Sequence, residues 1–321
     1  LPALACGNAV VLKPDARTPV TGGILLGLIL EAAGLPAGVL HVLPGDAEAG
    51  EALVVDPDVT MISFTGSTAV GRRVGELAGR HLKKVALELG GKNSLIILDD
   101  ADLELAICGG SWASWLHQGQ ICMSAGRHLV HKSIAATYAQ RMADKAKVLP
   151  VGDPNTQPVA LGPIITAAQV QRVDRIVQES VKMGAKLLAG GQPNGQFYPA
   201  TVLADVTPDM PVFREEIFGP VVSISAFETD EEAVALANDT EYGLSAGIYT
   251  GNIGRGMAMG ERLNVGLLHI NDQTVNDDGT MPMGGRGASG NGSRHGGPAN
   301  WDEFTQWQWV TVRNTAPAYP L

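Results

Sequence analysis

Cysteine is scarce, long apolar runs are missing and positive charge is in the minority, and each shortage removes a class of protein. Only three cysteines, Cys6, Cys108 and Cys122, are spread over 321 residues. That is neither the density of a secreted disulfide framework nor the paired spacing of a zinc site, so no metal is expected and a reducing cytoplasm is the default. The longest apolar run, Gly22 to Leu30, stops at Glu31 and is too short to span a bilayer, so it reads as a buried helix and no membrane is expected. The net charge is −10 with no basic cluster, which argues against a nucleic-acid partner. There is no signal peptide and no initiator Met. The chain opens Leu1-Pro2-Ala3-Leu4, which reads as an internal point of a longer protein.

What is present fits an α/β protein of about two domains. Hydrophobic residues make up 45% of the chain, and its 40 glycines suggest many tight turns. Short β-prone runs at Ala9–Leu12, Val39–Leu43, Met61–Phe64 and Val85–Leu89 alternate with helical stretches at Thr18–Ala33, Ala47–Val54 and Ala69–Leu77. The alternation continues from Ile96 to Asn271, which predicts βαβ crossovers and a mostly parallel sheet. A Gly-rich loop, Gly284 to Gly297, follows. Trp307 to Arg313 closes the pattern with the aromatic and β-branched content of a strand.

Four stretches carry possible chemistry. Gly66-Ser67-Thr68 offers backbone N–H groups at a helix N-terminus, suited to a phosphate, or it is a plain helix cap. Lys13, at the end of the first strand, reaches a ribose hydroxyl or phosphate, or is a solvated loop charge. No G-x-G-x-x-G fingerprint supports a standard dinucleotide site. Glu88 lies inside an apolar strand, where a carboxylate is either a base of raised pKa or the partner of Lys84 or Lys92. Cys122 sits in a Gly-loosened turn, Gln118-Gly119-Gln120-Ile121-Cys122, below the apolar segment Trp112-Ala113-Ser114-Trp115-Leu116. It is either a small buried hydrophobe or a nucleophile.

Taken together, Leu87-Glu88-Leu89-Gly90-Gly91-Lys92, Gly119-Gln120-Ile121-Cys122 and Glu215-Glu216-Ile217-Phe218-Gly219-Pro220 resemble three signature blocks of the NAD(P)-dependent aldehyde dehydrogenase superfamily. Ala9 to Pro19, Phe64 to Thr68 and Pro282-Met283-Gly284-Gly285 match in order and spacing, so the likeness covers essentially the whole chain. Trp115-Leu116-His117 and Gln308 to Arg313 most resemble the benzaldehyde (aromatic aldehyde) dehydrogenases.

The resemblance implies an aldehyde dehydrogenase-like fold: a Rossmann-type parallel-sheet cofactor domain, of which residues 1–90 are the C-terminal half, and an α/β catalytic domain over 91–290. A C-terminal segment, 291–321, would carry an oligomerisation strand, Trp307 to Arg313, making a homodimer or homotetramer. Cys122 would add to the aldehyde carbon to give a thiohemiacetal, hydride would pass to NAD or NADP, and Glu88 would activate water to hydrolyse the thioester. Glu216 would hold the nicotinamide ribose beside Phe218. Lys13 would hold the adenosine ribose, Gly45 would flank the adenine, and Gly66 and Ser67 would meet the pyrophosphate, with Gly71 in the same cofactor-binding set. Trp112, Trp115 and Leu116 would line a tunnel for a flat apolar aldehyde.

Three departures from the family pattern carry expectations. Ala16, followed by Arg17, stands where a carboxylate usually binds the ribose, which implies that NADP is accepted alongside or instead of NAD. The family's oxyanion-stabilising Asn would lie upstream of Leu1, leaving the backbone N–H of Cys122 as the other donor. Met283 replaces a Phe. The rival readings are a CoA-acylating or other acyl-transfer enzyme on this fold, and a non-catalytic dehydrogenase-like binding protein.

Overall fold

A computed structural model describes residues 1–320. Its strands are β1 (Val10–Leu12), β2 (Leu40–Val42), β3 (Met61–Thr65), β4 (Lys84–Glu88), β5 (Asn93–Ile97), β6 (Ala125–His131), β7 (Lys186–Ala189), β8 (Thr201–Ala204), β9 (Val221–Phe227), β10 (Tyr242–Gly243), β11 (Ser245–Tyr249), β12 (Leu267–Ile270) and β13 (Arg286–Gly287). The centre of the molecule is a seven-stranded sheet in the order β12-β11-β5-β6-β9-β8-β7. Every pair in it is parallel except β7 with β8.

Strand β5 shows why the sheet is deep. All five of its residues are buried, as expected where helices cover both faces. Its side chains alternate: Leu95 and Ile97 join one apolar cluster with Val130, Tyr138 and Met142, and Ile96 joins the opposite one with Val173, Phe213 and Phe227. The first face is covered by the helices Leu103–Trp115 and Lys132–Val148, the second by Ala167–Lys182 and Asp230–Asn238.

The first 88 residues are built differently. Strands β1 and β2 form one parallel pair and β3 and β4 another, with no hydrogen bonds between the pairs. The helix Thr68–Arg80 packs Val74, Leu77 and Ala78 onto Leu87 and Leu89. The chain returns to this region at its end. Gly290 lies antiparallel to Glu88, Leu89 N–H donates to the Ser289 carbonyl (2.9 Å), and Leu87 N–H donates to Asn291 Oδ1 (3.0 Å).

Two expectations are corrected. The apolar run Gly22 to Leu30 does fold helically, as a π-turn Val20–Ile24 followed by the helix Leu25–Ala32, but it is not buried. Leu28 and Ile29 are 56% and 55% exposed, because nothing among the described residues packs on that face. Trp307 to Arg313 forms no strand, and Trp307 and Trp309 are 96% and 94% exposed. A strand needs a neighbour for its N–H and C=O groups, and no described segment supplies one. No described helix is long and apolar enough to cross a membrane.

Candidate active site

Three segments converge where β4 ends. Glu88 is its last residue, 7% exposed, and neither carboxylate oxygen has a hydrogen-bond partner among the described residues. Burial penalises the charged form and pushes its pKa up to about 7, with the Glu303 carboxylate adding to the rise and the Arg294 guanidinium opposing it.

Gly90 and Gly91 then form a seam that only glycine can make. A methyl group at Gly90 would lie 2.6 Å from Glu216 Oε2, and one at Gly91 would lie 2.5 Å from the Cys122 carbonyl oxygen. The bare backbone lets the Glu88 strand, the Cys122 loop and the Glu216 segment meet. Gly91 N–H donates to Glu216 Oε1 at 2.9 Å, while Oε2 makes no hydrogen bond among the described residues.

Cys122 is reached through a forced turn. The helix Leu103–Trp115 gives way to a 3-10 turn, Leu116–Gly119, in which His117, Gln118 and Gly119 all take positive φ. At Gly119 a side chain would strike the Gly219 carbonyl oxygen at 2.2 Å, so the cysteine loop lies directly on the turn after Phe218. The Cys122 thiol is half-buried. Burial, then the Glu216 and Glu88 carboxylates, push its pKa up to about 11, against the pull of backbone N–H groups at Met123 and Cys122 itself. At neutral pH it is therefore a thiol, and using it as a nucleophile requires a proton acceptor nearby.

The Glu216 segment is clamped from behind. Arg172 donates to the carbonyls of Glu216 (2.6 Å) and Ile217 (3.0 Å), and Gln169 to those of Ile217 (3.0 Å) and Phe218 (3.1 Å). Phe218 takes positive φ and is 36% exposed.

A second group forms at the ends of β1 and β2. Lys13 Nζ donates to the Pro14 (2.7 Å) and Gly45 (3.1 Å) carbonyls, so Lys13 and Gly45 are neighbours. Ser67 caps the helix Thr68–Arg80, accepting from Val70 N–H at 3.4 Å, and Gly66 lies over the Phe64 ring, which a methyl would meet at 2.5 Å. Gly71 is a packing position: a methyl there would lie 2.3 Å from Leu89 Cδ2.

The tunnel residues separate. Trp112 is 56% exposed and Leu116 half-buried, but Trp115 is 3% exposed and packs among Leu95, Ile97 and Ala125. Trp115 is core, which corrects the expectation that it lines a tunnel: it is the last residue of the helix Leu103–Trp115 and packs into the apolar cluster on that face of the sheet. Sequence reasoning missed Gln169 and Arg172, which lie on an ordinary amphipathic helix, and also Asn93. A buried Asn opening an apolar strand was the available signal for Asn93.

The sequence pattern of the aldehyde dehydrogenase family matches residues 1–310. A vanillin dehydrogenase from Amycolatopsis sp. is 56% identical over the whole chain, which spans 66% of that relative. A benzaldehyde dehydrogenase [NAD(+)] from Pseudomonas putida is 54% identical, again with all of this chain and 66% of the relative covered. The solved structure of a salicylaldehyde dehydrogenase from Pseudomonas putida G7, complexed with salicylaldehyde, superposes with a TM-score of 0.95 at 38% identity, covering 99% of this chain and 66% of that one. Motifs, fold and relatives agree: this chain belongs to the aldehyde dehydrogenase family.

Proposed function

We propose that the protein carrying this chain oxidises an aromatic aldehyde to the carboxylic acid with NAD or NADP. The observation that carries the proposal is the Gly90–Gly91 seam, which sets Glu88, the Cys122 loop and Glu216 side by side. The Cys122 thiol gives its proton to a carboxylate, for which Glu88 has the raised affinity. The sulfur then forms a C–S bond to the aldehyde carbon, and the Cys122 backbone N–H donates to the resulting oxyanion. The cofactor, when bound, supplies the two-electron hydride acceptor. Loss of hydride leaves a thioester on Cys122. Glu88 releases the thiol's proton to solvent, then takes a proton from water as the hydroxyl adds to the acyl carbon. The C–S bond breaks, the departing thiolate takes the proton back from Glu88, and acid and thiol are restored. A base able to activate water beside the thioester favours hydrolysis over acyl transfer to another acceptor.

Several features fit the cofactor. The free Oε2 of Glu216 is placed to accept from a ribose hydroxyl, and the exposed Phe218 ring offers a flat apolar neighbour. The start of the helix Thr68–Arg80, behind Gly66 and Ser67, presents N–H groups to a pyrophosphate. Lys13 and Gly45 would take the adenosine end. Arg17 is held by Asp15 at 2.7–2.8 Å, and that pairing holds the Asp15 carboxyl down to about 2. Trp112 and Leu116 remain as aromatic-aldehyde contacts, in keeping with the names of the relatives.

We assign residues 1–90 to the cofactor domain, 91–290 to the catalytic domain, and 291–321 to an arm. The uncovered Trp307 to Arg313 segment, pairing with another subunit, makes the protein a homodimer or homotetramer. A cytoplasmic location completes the reading. The test is formation of reduced cofactor from benzaldehyde, with NAD and NADP compared, on protein extended to the length of the relatives. Turnover lost in Cys122→Ala is the expected result. No turnover with benzaldehyde, vanillin or salicylaldehyde would remove the assignment.

A further inference from the structure

The loop after Cys122 contains no regular hydrogen-bonded structure until β6, yet its four consecutive carbonyls are all held by buried side chains. Asn93 Nδ2 donates to both the Cys122 (2.8 Å) and Ser124 (2.9 Å) carbonyls. Thr274 Oγ1 donates to the Met123 carbonyl between them (2.7 Å), and Ser114 Oγ to the Ala125 carbonyl (2.9 Å). The donors are themselves locked. Asn93 Oδ1 accepts from Ser245 N–H (3.0 Å), and Ser245 Oγ donates to the Thr274 carbonyl (2.8 Å). Asn93, Thr274 and Ser245 are 3%, 0% and 1% exposed.

We infer that Asn93 and Thr274 are positioning residues that set the reactivity of Cys122 by fixing the peptide planes after it. The Cys122 carbonyl and the Met123 N–H belong to one peptide unit, so holding that carbonyl from behind turns the N–H toward the sulfur. A donor fixed on the sulfur favours the thiolate over the thiol. The Met123 N–H is one of the groups that oppose the rise in the Cys122 pKa. Thr274 fixes the next plane, which keeps the Met123 unit from rotating to satisfy its carbonyl elsewhere. Gly91 belongs to the same device, because a methyl there would push on both the Cys122 carbonyl (2.5 Å) and Asn93 Oδ1 (3.0 Å).

The inference rests on Cys122 being the nucleophile, and thiol alkylation separates the two questions. With Cys6 and Cys108 replaced by serine, the rate of iodoacetamide reaction at Cys122 is measured from pH 7 to pH 10, alongside thermal melting. Thr274→Val keeps the shape and loses the donor, and is expected to slow alkylation about fivefold at every pH in this range, the worth of roughly one hydrogen bond. Thr274→Ser, which keeps the hydroxyl, is expected to restore the parent rate. Asn93→Leu, which frees two carbonyls, is expected to slow it more, about tenfold or beyond, the equivalent of one pKa unit. If Thr274→Val and Asn93→Leu melt lower but alkylate at the parent rate, the bracket is structural only and the inference fails. Equal slowing in Thr274→Ser and Thr274→Val would also overturn it, since the hydroxyl would then be irrelevant. If Asn93→Leu does not fold, the Thr274 pair still decides. Cys122→Ala retaining turnover would instead overturn the proposed function and leave the alkylation result intact.

Discussion

The two halves of the molecule are held together by different means. Across β5, β6, β9 and β11 the sheet is closed on both faces, and Leu95, Ile96, Ile97 and Leu129 have no exposed surface. Over the first 88 residues the strands are three to five residues long, lie in two unconnected pairs, and leave Leu25, Leu28 and Ile29 from 45% to 56% exposed. Both halves are made of the same βαβ units, so local sequence pattern does not separate them. The difference is how many faces of each unit the described residues cover. The cysteine loop is fixed by a core that these residues complete themselves, whereas the helix Thr68–Arg80 sits on a much thinner support.

Substitutions that remove or insert volume should expose this contrast most strongly. Phe213 is fully buried, and the Arg127 guanidinium lies 4.9 Å from its ring centroid. Phe213→Ala should cost about 3–5 kcal/mol in unfolding free energy by denaturant titration, because the site is too enclosed to collapse. Gly119→Ala should be comparably damaging, since it combines positive φ with a clash against the Gly219 backbone. It should also lower Cys122 alkylation. A loss below about 1 kcal/mol in both would mean that the half from β5 onward is more compliant than its burial implies.

Glu88 gives the next largest effect, with a sign opposite to that of most buried-site changes. Its folded pKa is raised from 4.5 to about 7, so the folded protein binds this proton more tightly than the unfolded chain does. Stability from this group is fully present below about pH 4.5 and is lost as pH rises through about 7. Glu88→Gln should therefore raise stability by about 3 kcal/mol at pH 8 and change it little at pH 4, read from melting curves. The same variant should stop thioester hydrolysis, and parent hydrolysis should climb with pH and level off above about 7. An unchanged melting temperature at pH 8 would mean that Glu88 is ionised at no cost, and its proposed part as base would lose its physical ground.

The sequence made the β-α alternation legible because strand and helix periods differ and glycine and proline punctuate them. The motif at Leu87 to Lys92 was legible as chemistry because a carboxylate in an apolar strand is costly. What the sequence hid follows from the third dimension. Gly90 and Gly91 were readable as a turn, but that they separate Glu216 from the Cys122 carbonyl depends on a contact across more than a hundred residues. Trp112 and Trp115 look alike in sequence and lie three residues apart on one helix, and only the tertiary packing around them leaves one exposed and puts the other in the core. Trp307 to Arg313 has strand composition without a strand, because composition reports a fit to a sheet and not the presence of one.

The smallest expected effects sharpen the comparison from the other side. Gly79 lies in the helix Thr68–Arg80, and a methyl there would meet nothing within 4 Å. Gly79→Ala should stabilise by up to about 1 kcal/mol by restricting the unfolded chain and improving helix propensity. Leu28→Gln, on the uncovered face, should change the stability of this chain by less than about 0.5 kcal/mol. The same change in protein extended to the length of the relatives separates two cases. If the added residues cover that face, Leu28→Gln becomes as costly there as a core substitution, roughly 2 kcal/mol or more. If it stays neutral in both, the face is exposed in the longer protein too, and the asymmetry between the halves belongs to the fold rather than to the stretch of chain described.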